Sequence, residues 1–173
     1  MKKIFSLFIV AILVAGTSVH AQKYAIIDTR FILDKMPEYK DAEKKLQLVS
    51  EQWQKDIDQQ QADLNKMYKD YDAEQFMLSD ELKKKREDEL FNREKDLRDL
   101  QKKRFGYEGD LFKERQKLVK PIQDKVYNAV QKIAVARGYD FILDKSEGIT
   151  VIFADPKLDK SQDVLDALGI KGS

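Results

Sequence analysis

Residues 138–155, GYDFILDKSEGITVIFAD, form the longest β-rich passage in a chain otherwise crowded with Lys, Glu, Asp and Gln. The passage reads as two apolar strands joined by a short turn, and an isolated two-stranded hairpin is marginal in water. It therefore needs a partner. Residues 23–28, KYAIID, alternate and are β-rich, so a first strand is expected there, able to make three strands with the hairpin. The apolar residues of these segments (Ile26, Ile27, Phe141, Leu143, Val151 and Phe153) exceed what one helix covers. An exposed sheet edge is a liability, and closure against copies of the same chain is one solution. These six residues are the expected oligomerisation body.

Everything between the two β-rich passages reads as helix. A short helix is expected over TRFILDK, capped by Asp28 or Thr29, and Pro37 suits the first turn of the next. From there to about Phe76 nothing breaks a helix, and Leu46, Val49, Trp53, Ile57, Leu64, Met67 or Tyr68, and Tyr71 recur three or four apart. Gln60 interrupts that stripe. MLSDEL is the reversal, with Ser79 as cap and Asp80 and Glu81 in a first turn that favours acids.

The second long helix is expected from about Asp80 to Arg137. Leu90, Leu97, Leu111 and Leu118 keep a heptad spacing in which Arg104 fills the middle slot. Gly106 and Gly109 each weaken a helix by about 1 kcal/mol relative to Ala, and Pro121 is expected to break the hydrogen-bond ladder and kink the helix. These three residues are the candidate hinge. Gly138 closes the helix as a left-handed cap, and a last short helix covers SQDVLDALG.

The expected fold class is thus α+β, a long antiparallel α-helical hairpin, or coiled-coil arm, inserted in a small β body. The body is assigned to residues 22–36 plus 120–173, and the arm to 37–119 with its tip near 77–79. Residues 1–21 are set apart as a signal peptide. A basic start, an apolar run and small residues before a cut after Ala21 are the three parts of an export signal.

Composition then removes whole classes of chemistry. The only His is His20, inside that signal, and there is no Cys. The mature chain has neither a His base, a Cys nucleophile, a disulfide nor a zinc site of the usual type. Its 30 basic residues stand against 31 acidic ones, a net charge of −1, unlike the basic excess of a nucleic-acid binder. A carboxylate enzyme needs a pocket with perturbed groups, and nearly all Asp and Glu fall on exposed helix faces. Asp140, Asp144 and Glu147 do not follow a calcium-loop spacing. No cofactor, no metal and no catalytic residue is expected.

The whole layout resembles the Skp/OmpH family of periplasmic chaperones. The resemblance is carried by KYAIIDTRFIL, by the charged helical hairpin, by KLVKPIQDKVYNAVQKIAVARGYDFILDKS, and by ITVIFAD with the terminal DVLDAL. It implies a jellyfish-like homotrimer with a β-barrel shared by three chains and three arms around a cavity. Unfolded outer-membrane β-barrel proteins would be held there without nucleotide. Tyr68, Tyr71, Phe76, Met77, Leu90 and Phe91, near the tip, are then the expected client contacts, because a two-helix arm leaves one side of each helix uncovered. The same residues could instead zip the arm together, since stripes at helical spacing are usually core.

One feature departs from the basic character of familiar members. Residues 66–92 hold 6 basic and 8 acidic side chains, and residues 93–125 hold 11 and 7. Membrane contact led by the arm tip is therefore not expected, and any weak membrane-surface contact would fall on the descending helix. The alternative to a chaperone is an exported coiled-coil scaffold of the envelope, for which a compact body built from both chain ends has no evident use.

Overall fold

The computed structural model describes residues 22–146, 148 and 151–170. The expected signal peptide, residues 1–21, lies outside the described residues, as does Glu147. The elements are β1 (Tyr24–Ile27), α1 (Thr29–Lys35), α2 (Pro37–Glu74), α3 (Asp80–Phe105), α4 (Asp110–Arg137), β2 (Phe141–Asp144) and α5 (Ser161–Ala167).

The long helices start and stop where local chemistry says they should. The Asp28 side chain caps α1 by accepting from the Phe31 N–H. Met36, extended and 3% exposed, separates α1 from α2, whose first turn contains Pro37. At 38 residues, α2 is about 57 Å long. Its outer face is stitched by Gln side chains donating to acids one turn on, at Gln47–Glu51, Gln52–Asp56, Gln54–Asp58 and Gln59–Asp63. A short 3₁₀ turn, Gln75–Met77, reverses the chain, and the Ser79 hydroxyl caps α3 by accepting from the Leu82 N–H. At the far end Gly138 takes φ 64°, and the Tyr139 N–H reaches back to the Ala134 carbonyl.

Two expectations need correction. The descending helix is two helices rather than one, because residues 106–109 leave the helical path between α3 and α4. Pro121, by contrast, sits inside α4, which continues through it. Val119, Ile122 and Val126 are buried around that proline, so core packing on both sides holds the helix where one hydrogen bond is missing.

The second correction concerns the β segments. Residues 151–155 form no strand and no antiparallel hairpin with β2; Ile152 and Phe153 are 94% and 85% exposed. Instead β2 pairs with β1 in parallel, Tyr24 opposite Phe141 and Ile27 opposite Asp144. Parallel neighbours cannot be joined by a tight turn and require a crossover. The whole arm is that crossover. The other edge of β1 is covered by the segment before α5, through an Ile26–Asp159 bridge and a 2.8 Å bond from the Lys160 N–H to the Ile26 carbonyl.

Two apolar clusters result. The body cluster joins Ile27, Ile32, Met36, Ala42 and Leu46 to Val119, Ile122, Val126, Ala129 and Ile133, closed by Val164 and Leu165 of α5. The distal cluster is a thin seam of Ile57 and Leu64 against Leu90 and Leu97, flanked by Met67, Tyr71 and Leu100. Gln60, which interrupts the stripe in sequence, is exposed.

Candidate functional site: the distal arm

The seam uses up one face of α2 and one of α3, so the remaining apolar side chains on these helices point outward. Phe76 and Met77 at the reversal are 88% and 80% exposed, and Phe91 is 60% exposed. Tyr68 is at the margin, 38% exposed, with its hydroxyl donating to Glu94 at 3.2 Å. Tyr71 packs against the seam, and its hydroxyl donates to Glu87 at 2.6 Å. That hydrogen bond, with desolvation second, holds the Tyr71 phenol above the ordinary tyrosine value. Leu90 is buried in the seam and offers no surface. The six candidates thus divide into an outward set, Phe76, Met77, Phe91 and part of Tyr68, and an inward pair, Tyr71 and Leu90.

Further apolar groups on the arm are exposed. Leu82, in the first turns of α3, is 49% exposed. Tyr107, between the two glycines, is 97% exposed, and Phe112 just after them is 45% exposed. By sequence Tyr107 follows Leu100 at heptad spacing as a second row of the descending helix, but it belongs to no helix and faces water instead.

The break itself is built from named contacts. A Cβ on Gly106 would lie 2.3 Å from the Lys102 carbonyl oxygen, and one on Gly109 would lie 2.9 Å from the Gly106 and Lys103 carbonyl oxygens. The Gly109 N–H donates to the Gly106 carbonyl at 2.9 Å, and Glu108 takes φ 53°. Arg104, the odd member of the leucine heptad, lies with its guanidinium carbon 4.5 Å from the Trp53 ring centre and donates to Asp110 at 2.7 Å. Phe105 meets Trp53 edge-on at 6.4 Å.

In the body, Ile26 and Ile27 are buried, Leu143 and Val151 half-buried, and Phe141 and Phe153 exposed. Tyr24 and Phe141 stack across the β1–β2 pair, ring centres 5.6 Å apart and nearly parallel. The carboxylates here act as fasteners. Asp144 accepts from the backbone and hydroxyl of Thr29 and from the Ser146 N–H; Asp140 accepts from the Lys23 N–H. Burial alone pushes the Asp144 carboxyl up, but its donors outweigh burial and hold it below the usual range. Asp159 behaves alike, its burial offset by Lys145 and Ser161. Both carboxyls are held down, the opposite of what a general acid requires. Among the described residues no acid, His or Cys cluster could hold a metal, and no helix is long and apolar enough to cross a membrane.

The sequence matches the model of the family described as Outer membrane protein (OmpH-like) over residues 23–168. The chain belongs to the Skp/OmpH family. No curated protein matches it significantly. Among solved structures, a protein described as an OmpH-like outer membrane chaperone from Caulobacter crescentus CB15 superposes with a TM-score of 0.69. The match covers 88% of each chain at 16% identity, a likeness of fold. This chain is mostly helical with a two-strand sheet, and it shares the fold of that OmpH-like structure. The family match takes in β1, both sides of the arm and α5.

Proposed function

We propose that this chain is an ATP-independent holdase chaperone of the periplasm, exported by a signal peptide cleaved after Ala21. In this reading three copies associate through the body, and their arms enclose unfolded outer-membrane β-barrel proteins to prevent aggregation in transit. The observation that carries it is the placement of large apolar side chains out in water, Phe76 and Met77 almost wholly and Phe91 for the larger part, on an arm whose seam is already closed. Such residues cost solubility and add nothing to the arm's own packing, which makes sense if they meet a transient partner.

Weak contacts repeated on several arms hold a client by effective concentration while letting each contact release. Met and Tyr adapt to varied apolar partners, and the surrounding charge keeps the empty cage soluble. The body supports association in the same reading: β2 has one described strand neighbour, and Tyr24, Phe141 and Phe153 are exposed apolar side chains of the body. Ile26, Ile27, Leu143 and Val151 would back that interface.

The test is dilution of a denatured β-barrel membrane protein into buffer with and without the purified chain, followed by light scattering. Suppression at one trimer per client is expected; aggregation unchanged at that ratio refutes the holdase reading.

A further inference from the structure

We propose that Arg104, Trp53 and Asp110 form a latch that locks the curvature of the arm, and that its release lets the arm bend at residues 106–109. The inference rests on the arm geometry and extends the holdase reading by naming what would set the width of the enclosed space.

Two packed helices lie about 9 Å apart, so bending the pair by roughly 20° forces a length mismatch of about 3 Å between them. Two unbroken helices resist that mismatch along their whole length. Here α2 is unbroken and acts as the spine, while the returning side is cut between Phe105 and Asp110. The cut lies between the two apolar clusters, so each half of the returning side is anchored to its own stretch of α2. Slack between α3 and α4 is what a bending spine requires.

One guanidinium governs that slack. Arg104 lies in the last turn of α3, Asp110 begins α4, and Trp53 projects from α2; the Arg104 side chain touches both of the others. The ion pair is partly sheltered, with side chains 31% and 25% exposed, unlike the Arg98–Glu94 pair further up α3 at 58% and 41%. A planar guanidinium can stack on an indole and donate to a carboxylate at once, which a lysine cannot. The cut is also held ready to move. Glu108 occupies a left-handed conformation that non-glycine residues rarely adopt, and both glycines are required by crowding against carbonyl oxygens. An apolar residue at position 104 would have continued the leucine seam; the arginine makes the joint releasable.

The chain has no cysteine and a single tryptophan, so the experiment is clean. Nitroxide labels on Lys84→Cys and Gln123→Cys, in labelled chains diluted with unlabelled ones, report the angle of the arm without any client. Trp53 emission reports the latch directly. Arg104→Gln and Asp110→Asn are each expected to broaden the label distance distribution at least about twofold and to redden Trp53 emission, with the double variant no broader than either single one. Arg98→Gln, which breaks an ion pair of similar length within α3, is expected to change neither. Distributions for both single variants that overlay the wild type would overturn the latch. Should circular dichroism show Arg104→Gln unfolded, Arg104→Lys is read instead, and wild-type emission from it overturns the proposal. Since no client is present, a working latch on a protein that fails to hold clients is recognised as such.

Discussion

Replacing Leu64 by Ala should open the distal arm while leaving the body intact. Leu64 is 4% exposed and is one of only four fully buried side chains in the distal seam. Burying four aliphatic side chains contributes roughly 6–12 kcal/mol gross, before the entropy of ordering two helices is set against it. Leu→Ala in helical cores costs about 2.7–5 kcal/mol, least where neighbours can collapse into the space. A two-helix seam is open on both sides, so about 2.5 kcal/mol is the reasoned figure. At 1.4 kcal/mol per tenfold, exchange through local opening should accelerate roughly 60-fold. Amide hydrogen exchange read by mass spectrometry gives the answer peptide by peptide. Peptides within residues 57–97 should lose protection by that factor, and those within 119–133 should stay within about twofold of wild type. Equal acceleration in both regions would show that the two clusters unfold as one unit, and no acceleration would show that Leu64 does not seal the seam. Either result refutes the reasoning.

Phe76→Ser combined with Met77→Ser should leave the melting temperature unchanged, within about 0.5 kcal/mol in stability terms, yet weaken suppression of client aggregation in the scattering assay. Gly106→Ala should lower the melting temperature by thermal circular dichroism, because the clash with the Lys102 carbonyl at 2.3 Å opposes the gain of about 1 kcal/mol in helix propensity; a raised midpoint would mean the cut heals into one helix. Asp144 has a folded pKa below its unfolded value, so its stabilising contribution is present above the ordinary carboxylate range and disappears as pH falls through the folded value. Melts at pH 5 and pH 3 should therefore show a smaller acid-induced drop in Asp144→Asn than in wild type, and equal drops would contradict it. Sedimentation should give about three times the mature mass, and a monomer would remove the cage.

The helical part of this fold is legible because its signals are local. Ser79, Gly138 and Pro37 mark boundaries through their own backbone chemistry, and the seam residues Ile57, Leu64, Leu90 and Leu97 announce themselves by spacing. The β pairing is not local. Residues 141–144 and 151–155 are both short apolar runs, and nothing in an apolar run states which neighbour it will take or in which direction. Sequence proximity favours the hairpin; the structure takes the distant Tyr24–Ile27 instead, because the arm returns its two roots to one place side by side.

Arg104 makes the same point for the candidate site. Its position in the leucine heptad reads in sequence as an imperfection of the seam. Its partners, Trp53 and Asp110, lie on the facing helix and beyond the cut, and only the fold brings them to one guanidinium. A charged residue at a seam position costs packing, so its retention there calls for a gain that packing alone does not supply. In the proposed latch that gain is control of the joint: two unbroken helices resist the length mismatch that bending imposes, and a contact at the cut that can release removes the resistance there.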